Sequence, residues 1–311
     1  MSEKITIPLL AKHPAPIDLG TPATQASFHD YLELTKPRLS ALSVVTALVG
    51  YFAARPPWNF LEMLYLLLGT MLAAGGVAVL NQWMESETDA RMQRTADRPI
   101  PTGRVPTGSA FVLGTVMCTA GLGLLFVKIN GTCAFLALMT YVFYLAIYTP
   151  AKKWSRWSTE IGAVAGALPP LIGATAADNG ISPLSWILFG VLFFWQIPHF
   201  MAVAWTYRRD YAAVDFPMLP VLDASGARVA RWSFINAVLL VAVSMLPALT
   251  GWCSRVYLGV ALALGAWLLW RAAVFLRAAK RDIGARKLFF ASIIYLPLLL
   301  GALVADRFIF S

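Results

Sequence analysis

The stretch FLEMLYLLLGTMLAAGGVAVLNQWMESETDAR, residues 60–91, decides the fold. From Phe60 to Trp83 it carries one charge, Glu62, and it is longer than the roughly 20 apolar residues that cross a ~30 Å hydrocarbon core. A transmembrane helix is therefore expected here. The same stretch then passes directly into Asn81, Glu85 and Asp89, so a continuing helix would carry an acidic face out of its apolar part.

Outward from this run the pattern repeats. Sustained apolar segments occupy about 39–54, 60–83, 108–127, 132–148, 160–177, 184–205, 233–250, 256–276 and 288–305, and Pro198 near the end of the sixth is a candidate kink. Of 311 residues, 59% are apolar and 13% charged, with a mean hydropathy of +0.66. A soluble domain has about 45–50% apolar and about 25% charged residues, so an ordinary soluble protein is excluded, as is a large soluble domain beside nine spans. The expected fold class is all-α: a polytopic integral membrane protein of about nine transmembrane helices surrounding a central cavity. Residues 1–36, with Pro8, Pro14, Pro16 and Pro22 and only short apolar runs, read as a flexible cytoplasmic tail and lack the 7–15-residue apolar core of a signal peptide. Residues 37–311 read as one transmembrane domain.

The net charge of +9 would suggest nucleic acid in a soluble chain, but here the cations lie between the spans. Only Arg55, Lys128, Arg255 and Arg307 fall on one side of the segmentation, which leaves the other 21 of 25 basic residues on the opposite side. Cytoplasmic connections are enriched in Lys and Arg, so the N-terminus is expected in the cytoplasm and the C-terminus across the membrane. Cys118, Cys133 and Cys253 are widely separated within or beside apolar segments, which gives no disulfide framework and no zinc site. The Gly162–Gly166 GxxxG pattern reads as close helix packing.

Asn81, Glu85 and Asp89 stand at i, i+4 and i+8, on one face of a helix. Ionised carboxylates at membrane depth cost ~2.5–3.5 kcal/mol each, and these two repel each other, so positive charge is expected between them. A hard divalent cation such as Mg²⁺, held by one or two carboxylates plus substrate phosphates, suits such ligands, and the following Arg94 and Arg98 would take further phosphate charge. The bland reading is a solvated, salt-bridged helix end. A second polar stretch, Trp195-Gln-Ile-Pro-His199-Phe and then Arg208-Arg209-Asp210-Tyr and Asp215-Phe-Pro-Met-Leu-Pro220, emerges on the same side, and Tyr148 to Arg156 adds Lys152 and Lys153 between the two. His199 is the one histidine among the apolar spans. A neutral imidazole suits haem iron; a hydrogen-bonded structural histidine is the alternative.

These residues resemble the membrane prenyltransferase superfamily typified by the 4-hydroxybenzoate polyprenyltransferases. Four stretches are similar to its protohaem IX farnesyltransferase branch: Leu34 to Arg38, Asn81 to Gly103, Tyr148 to Lys153 with Gly162 to Gly173, and Trp195 to Phe200 through Asp210-Tyr211 and Pro217 to Pro220. The resemblance runs from about residue 30 to the C-terminus. It implies farnesyl transfer from farnesyl diphosphate to the 2-vinyl group of haem b, with addition of water, to give haem O. It further implies Mg²⁺ on Asn81, Glu85, Asp89 and Asp210. Substrate contacts would come from Lys36, Arg38, Arg94, Arg98, Tyr148, Lys152, Lys153, Arg208, Arg209 and His199. The implied partners are the lipid bilayer and a downstream haem A synthase or terminal oxidase assembly, in a bacterial inner membrane. Two departures stand out: the first acid is commonly Asp and is Glu85 here, and Thr206 occupies the position four before Asp210. The alternatives are a sister enzyme prenylating an aromatic or quinone precursor and, in a different class, an ion-coupled transporter with intramembrane acids.

Overall fold

The computed structural model describes residues 26–55, 57 and 59–310. The reading of residues 1–25 as part of the tail lies outside the described residues. Among the described residues there are nine helices long and apolar enough to cross a membrane: α1 (Pro37–Ala54), α2 (Phe60–Arg91), α3 (Thr107–Lys128), α4 (Gly131–Ala151), α5 (Ser158–Asp178), α6 (Pro183–Thr206), α7 (Ala227–Leu249), α8 (Arg255–Leu276) and α9 (Ala278–Ile309). No strand occurs among them. Only helices and closed barrels satisfy every backbone polar group in lipid, and helices are the solution here. Three spans outrun their apolar segments: α2 continues to Arg91, α7 begins at Ala227 and α9 at Ala278, their polar turns standing at the bundle's end.

The helices close into a bundle because small residues let backbones approach. A side chain on Gly76 of α2 would meet Cys118 of α3 at 2.7 Å, and one on Gly173 of α5 would run into the Ala47 carbonyl of α1. With lipid outside, such close packing replaces the hydrophobic effect as the force joining helices. The GxxxG expectation holds in this form, since Gly162 lies against the Tyr148 ring and Gly166 against Gln196 of α6. Arg307 of α9 donates its Nε–H to the Ala53 carbonyl of α1 at 2.9 Å, tying the last span to the first.

Two local departures shape the site. Residues 28–34, inside the expected flexible tail, instead form a helix, Phe28–Leu34, with a capping box between Ser27 and Asp30. It is held down by the Asp30–Arg104 ion pair and by Gln82 Nε2, which donates to the Leu34 carbonyl at 2.7 Å. In α4, residues Val142–Tyr148 wind as a π-helix, with the Thr149 N–H donating to the Tyr144 carbonyl. Pro150 follows and has no N–H for the regular ladder, so the widened turn re-uses the carbonyls. Helix α6 runs through Pro198.

Candidate active site

Asn81, Glu85 and Asp89 are 1%, 7% and 4% exposed, so the solvated-helix reading does not describe them. Each acid has a cation. Lys152 Nζ donates to both Glu85 oxygens at 2.8 and 3.0 Å, and Arg98 pairs with Asp89. Asn81 is the hub: its Oδ1 accepts from Lys36 Nζ at 3.2 Å, and its Nδ2 reaches Glu85 Oε2 at 3.0 Å and Thr149 Oγ1 at 3.2 Å. The positive charge expected between the acids is thus present as side chains from three separate segments.

Local structure places these cations. Lys36 stands before Pro37, where the right-handed helical region is disfavoured, and adopts φ 45°, ψ 62°. Burial, with Arg98 and Lys152 nearby, pushes its ammonium down to about 7. Lys152 follows the π-helix and lies 4.5 Å from the centroid of the Tyr148 ring. Burial opposes its charge, but Tyr148 and Glu85 outweigh it and hold the ammonium above its ordinary range.

The second polar stretch packs against the first. Arg94 lies over the rings of Tyr207 and Tyr211 at 5.6 and 6.0 Å, and buried Met92 shares a cluster with Val214, Phe216 and Met218. Helix α6 does not persist to Asp210. It ends at Thr206, and a short helix, Arg208–Ala212, restarts after Tyr207. Asp210 is half-buried and has no ion pair among the described residues.

Some expected residues are not gathered. Arg208 stacks on Trp205 at 4.2 Å, donates to its carbonyl at 2.7 Å and faces Asp282 at 3.6 Å. Arg38, Lys153 and Arg209 are exposed. His199 lies between the rings of Trp195 and Phe289, at 4.7 and 5.1 Å. Ser292 Oγ spends its one hydrogen on the Phe289 carbonyl at 2.7 Å and lies 2.8 Å from His199 Nδ1. It therefore accepts from Nδ1–H, and in the neutral ring Nε2 keeps its lone pair. Thr149 lies within the Tyr148 to Lys153 stretch without being an expected site residue, and Tyr144 lies outside it. Thr149 bridges Asn81 to the Tyr144 carbonyl, and the Thr-Pro pair behind the π-helix was the available signal.

A helical membrane bundle with a buried Asn/Glu/Asp face, neutralised by cations from facing segments, is the frame of a membrane-embedded transferase for anionic substrates, and the chain belongs to the UbiA prenyltransferase family, which matches residues 43–294. Within it, the chain is 64% identical over 288 residues to the protoheme IX farnesyltransferase of Opitutus terrae, covering 92% of this chain and 97% of that relative. Two solved structures share the fold. One is digeranylgeranylglyceryl phosphate synthase, with a TM-score of 0.77 at 18% identity, covering 90% of this chain and 98% of the other. The second is a UbiA homologue from Archaeoglobus fulgidus bound to DMAPP and Mg²⁺, with a TM-score of 0.66 at 13% identity, covering 90% of this chain and 99% of the other. The transporter alternative gives way to this membership.

Proposed function

We propose that this protein transfers the farnesyl group of farnesyl diphosphate to the 2-vinyl group of haem b, with addition of water, releasing haem O and diphosphate. The carrying observation is the 64% identity to the O. terrae farnesyltransferase over nearly the whole of both chains. The buried cluster has the charge the reaction needs. The farnesyl C–O bond breaks with its electron pair leaving on diphosphate, the vinyl π electrons form the new C–C bond, and water adds to the carbon beside the ring with loss of a proton.

The donor set fits Mg²⁺, since Asn81, Glu85 and Asp89 present hard oxygens on one buried helix face. They would hold it, with Asp210 as the further ligand the resemblance implies, and it would supply Lewis-acid neutralisation of the leaving diphosphate. Lys36, Lys152 and Arg98, which here neutralise these acids, are the groups able to pair with phosphate oxygens, and Tyr148 backs Lys152. Arg94, over Tyr207 and Tyr211, adds positive charge beside the site, while Arg38, Lys153, Arg208 and Arg209 are not gathered with it and would act on the diphosphate only through the field of this face. His199 offers Nε2 to haem iron.

In this reading residues 37–311 act as one prenyltransferase domain in a bacterial inner membrane, residues 1–36 face the cytoplasm, and haem O passes to a haem A synthase or terminal oxidase assembly. Expression in membranes supplied with haem b and farnesyl diphosphate, followed by mass analysis of the extracted haem, tests the reaction. Unaltered haem b alongside prenylation of an added aromatic precursor would favour the sister activity.

A further inference from the structure

At the end of the bundle that carries the acidic cluster, a cavity of about 360 Å³ opens between α5 and α7, within the roughly 300–1,000 Å³ of small-molecule sites. Arg156, Arg228 and Arg231 line it, and none of the three forms an ion pair among the described residues. Arg228 gives Asp223 its backbone N–H. Trp157 and Trp232, in edge contact at 5.7 Å, line it with Leu219 and Ile235. Trp232 is fixed by its Nε1–H, which donates to Glu160 Oε1 at 2.5 Å. Glu160 also lines the cavity, and three guanidiniums against one carboxylate leave it cationic.

Two of its lining residues follow closely in the chain on residues that touch the acidic segment. Arg156 stands four residues beyond Lys152, the partner of Glu85, and Leu219 follows Met218, which is buried with Met92. We propose that this cavity binds the propionate edge of the porphyrin acceptor, an inference that rests on the haem reading above. Arginine forks suit carboxylates, and because the two indoles meet at 70°, one, the Trp232 ring held by Glu160, can give a macrocycle its face while the other gives its edge. Protohaem carries its vinyl groups on the edge opposite the propionates. Anchoring the propionates at the arginines therefore turns the vinyl edge away from them. An anionic phospholipid headgroup shares this charge chemistry, and interfacial indoles meet headgroups too; discrimination between the acid and its ester separates the two sources.

The test uses the full-length protein in phosphatidylcholine nanodiscs, titrated with haem b and with haem b dimethyl ester, read by the Soret band and tryptophan quenching. Wild-type protein is expected to bind haem b at least tenfold more tightly than the ester. The Arg228→Gln/Arg231→Gln double variant is expected to lose that preference while farnesyl diphosphate binding stays within twofold. Equal wild-type affinities for acid and ester, or unchanged haem b affinity in the double variant, would overturn the assignment. A stabilisation by phosphatidylglycerol that the double variant loses while keeping its haem affinity would also overturn it and identify a lipid site. Failure of wild-type protein to bind haem b at all would instead remove the haem reading itself.

Discussion

Lys152 Nζ lies 2.8 and 3.0 Å from the two carboxylate oxygens of Glu85, 67 positions earlier in the chain. Both side chains are largely buried, at 16% and 8% exposure, so the ammonium holds the place where a divalent cation would neutralise the same carboxylate. Breaking a buried pair by removing one partner costs about 3–5 kcal/mol. Lys152→Gln is therefore expected to lower the Tm without Mg²⁺ and to regain more stability on Mg²⁺ addition than the wild type does. Equal Mg²⁺-induced Tm shifts in the two proteins would show that lysine and metal do not share Glu85.

Glu85→Gln and Asp89→Asn each remove a charged ligand from the buried face. Both are expected to reduce farnesyl transfer by at least a hundredfold while the protein still reaches the membrane. Near-normal turnover by either variant at low Mg²⁺ would remove that residue from the metal site.

Asp210 and Asp215 separate by environment. Asp210 sits half-buried beside Tyr211, over which Arg94 lies, whereas Asp215 is exposed and occupies a left-handed turn at φ 57°. Asp210→Asn is expected to cut turnover severely and Asp215→Asn by less than tenfold, measured as diphosphate release. The reverse order would assign the second acid to Asp215.

His199→Ala is expected to weaken haem b binding at least tenfold and shift the Soret band of the complex, with farnesyl diphosphate affinity intact. An unchanged spectrum and affinity would confine His199 to its hydrogen bond with Ser292.

Asp223 governs part of the acid stability. Burial raises its carboxyl, but the N–H groups of Val229 and Arg228 and the Ser225 hydroxyl outweigh this and hold it below the usual range. These bonds cap the start of α7, and a helix cap is worth about 1 kcal/mol. A depressed folded-state value gives stability that is complete above the unfolded value of about 3.9 and lost as pH falls through the folded one. Asp223→Ala should thus lower the Tm at pH 7, with the gap narrowing below about pH 4. A gap independent of pH would assign the loss to packing.

What the sequence by itself determined was whatever follows from local periodicity and solvent. The nine spans were legible because crossing hydrocarbon demands long apolar runs, and the face of Asn81, Glu85 and Asp89 because four-residue spacing aligns side chains on any helix. Pairing across helices was decided only in the tertiary structure. Lys152 rather than neighbouring Lys153 meets Glu85 because the π-helix ahead of Pro150 resets which side of the turn faces α2. Lys36 reaches Asn81 because a left-handed residue before Pro37 turns the chain inward, and Arg208 turns to Trp205 and Asp282 because α6 breaks at Tyr207. Spacing along a chain fixes which side chains share a face. Which faces meet depends on small residues such as Gly76 and Gly173 and on irregular turns, whose effects are felt only once distant segments pack.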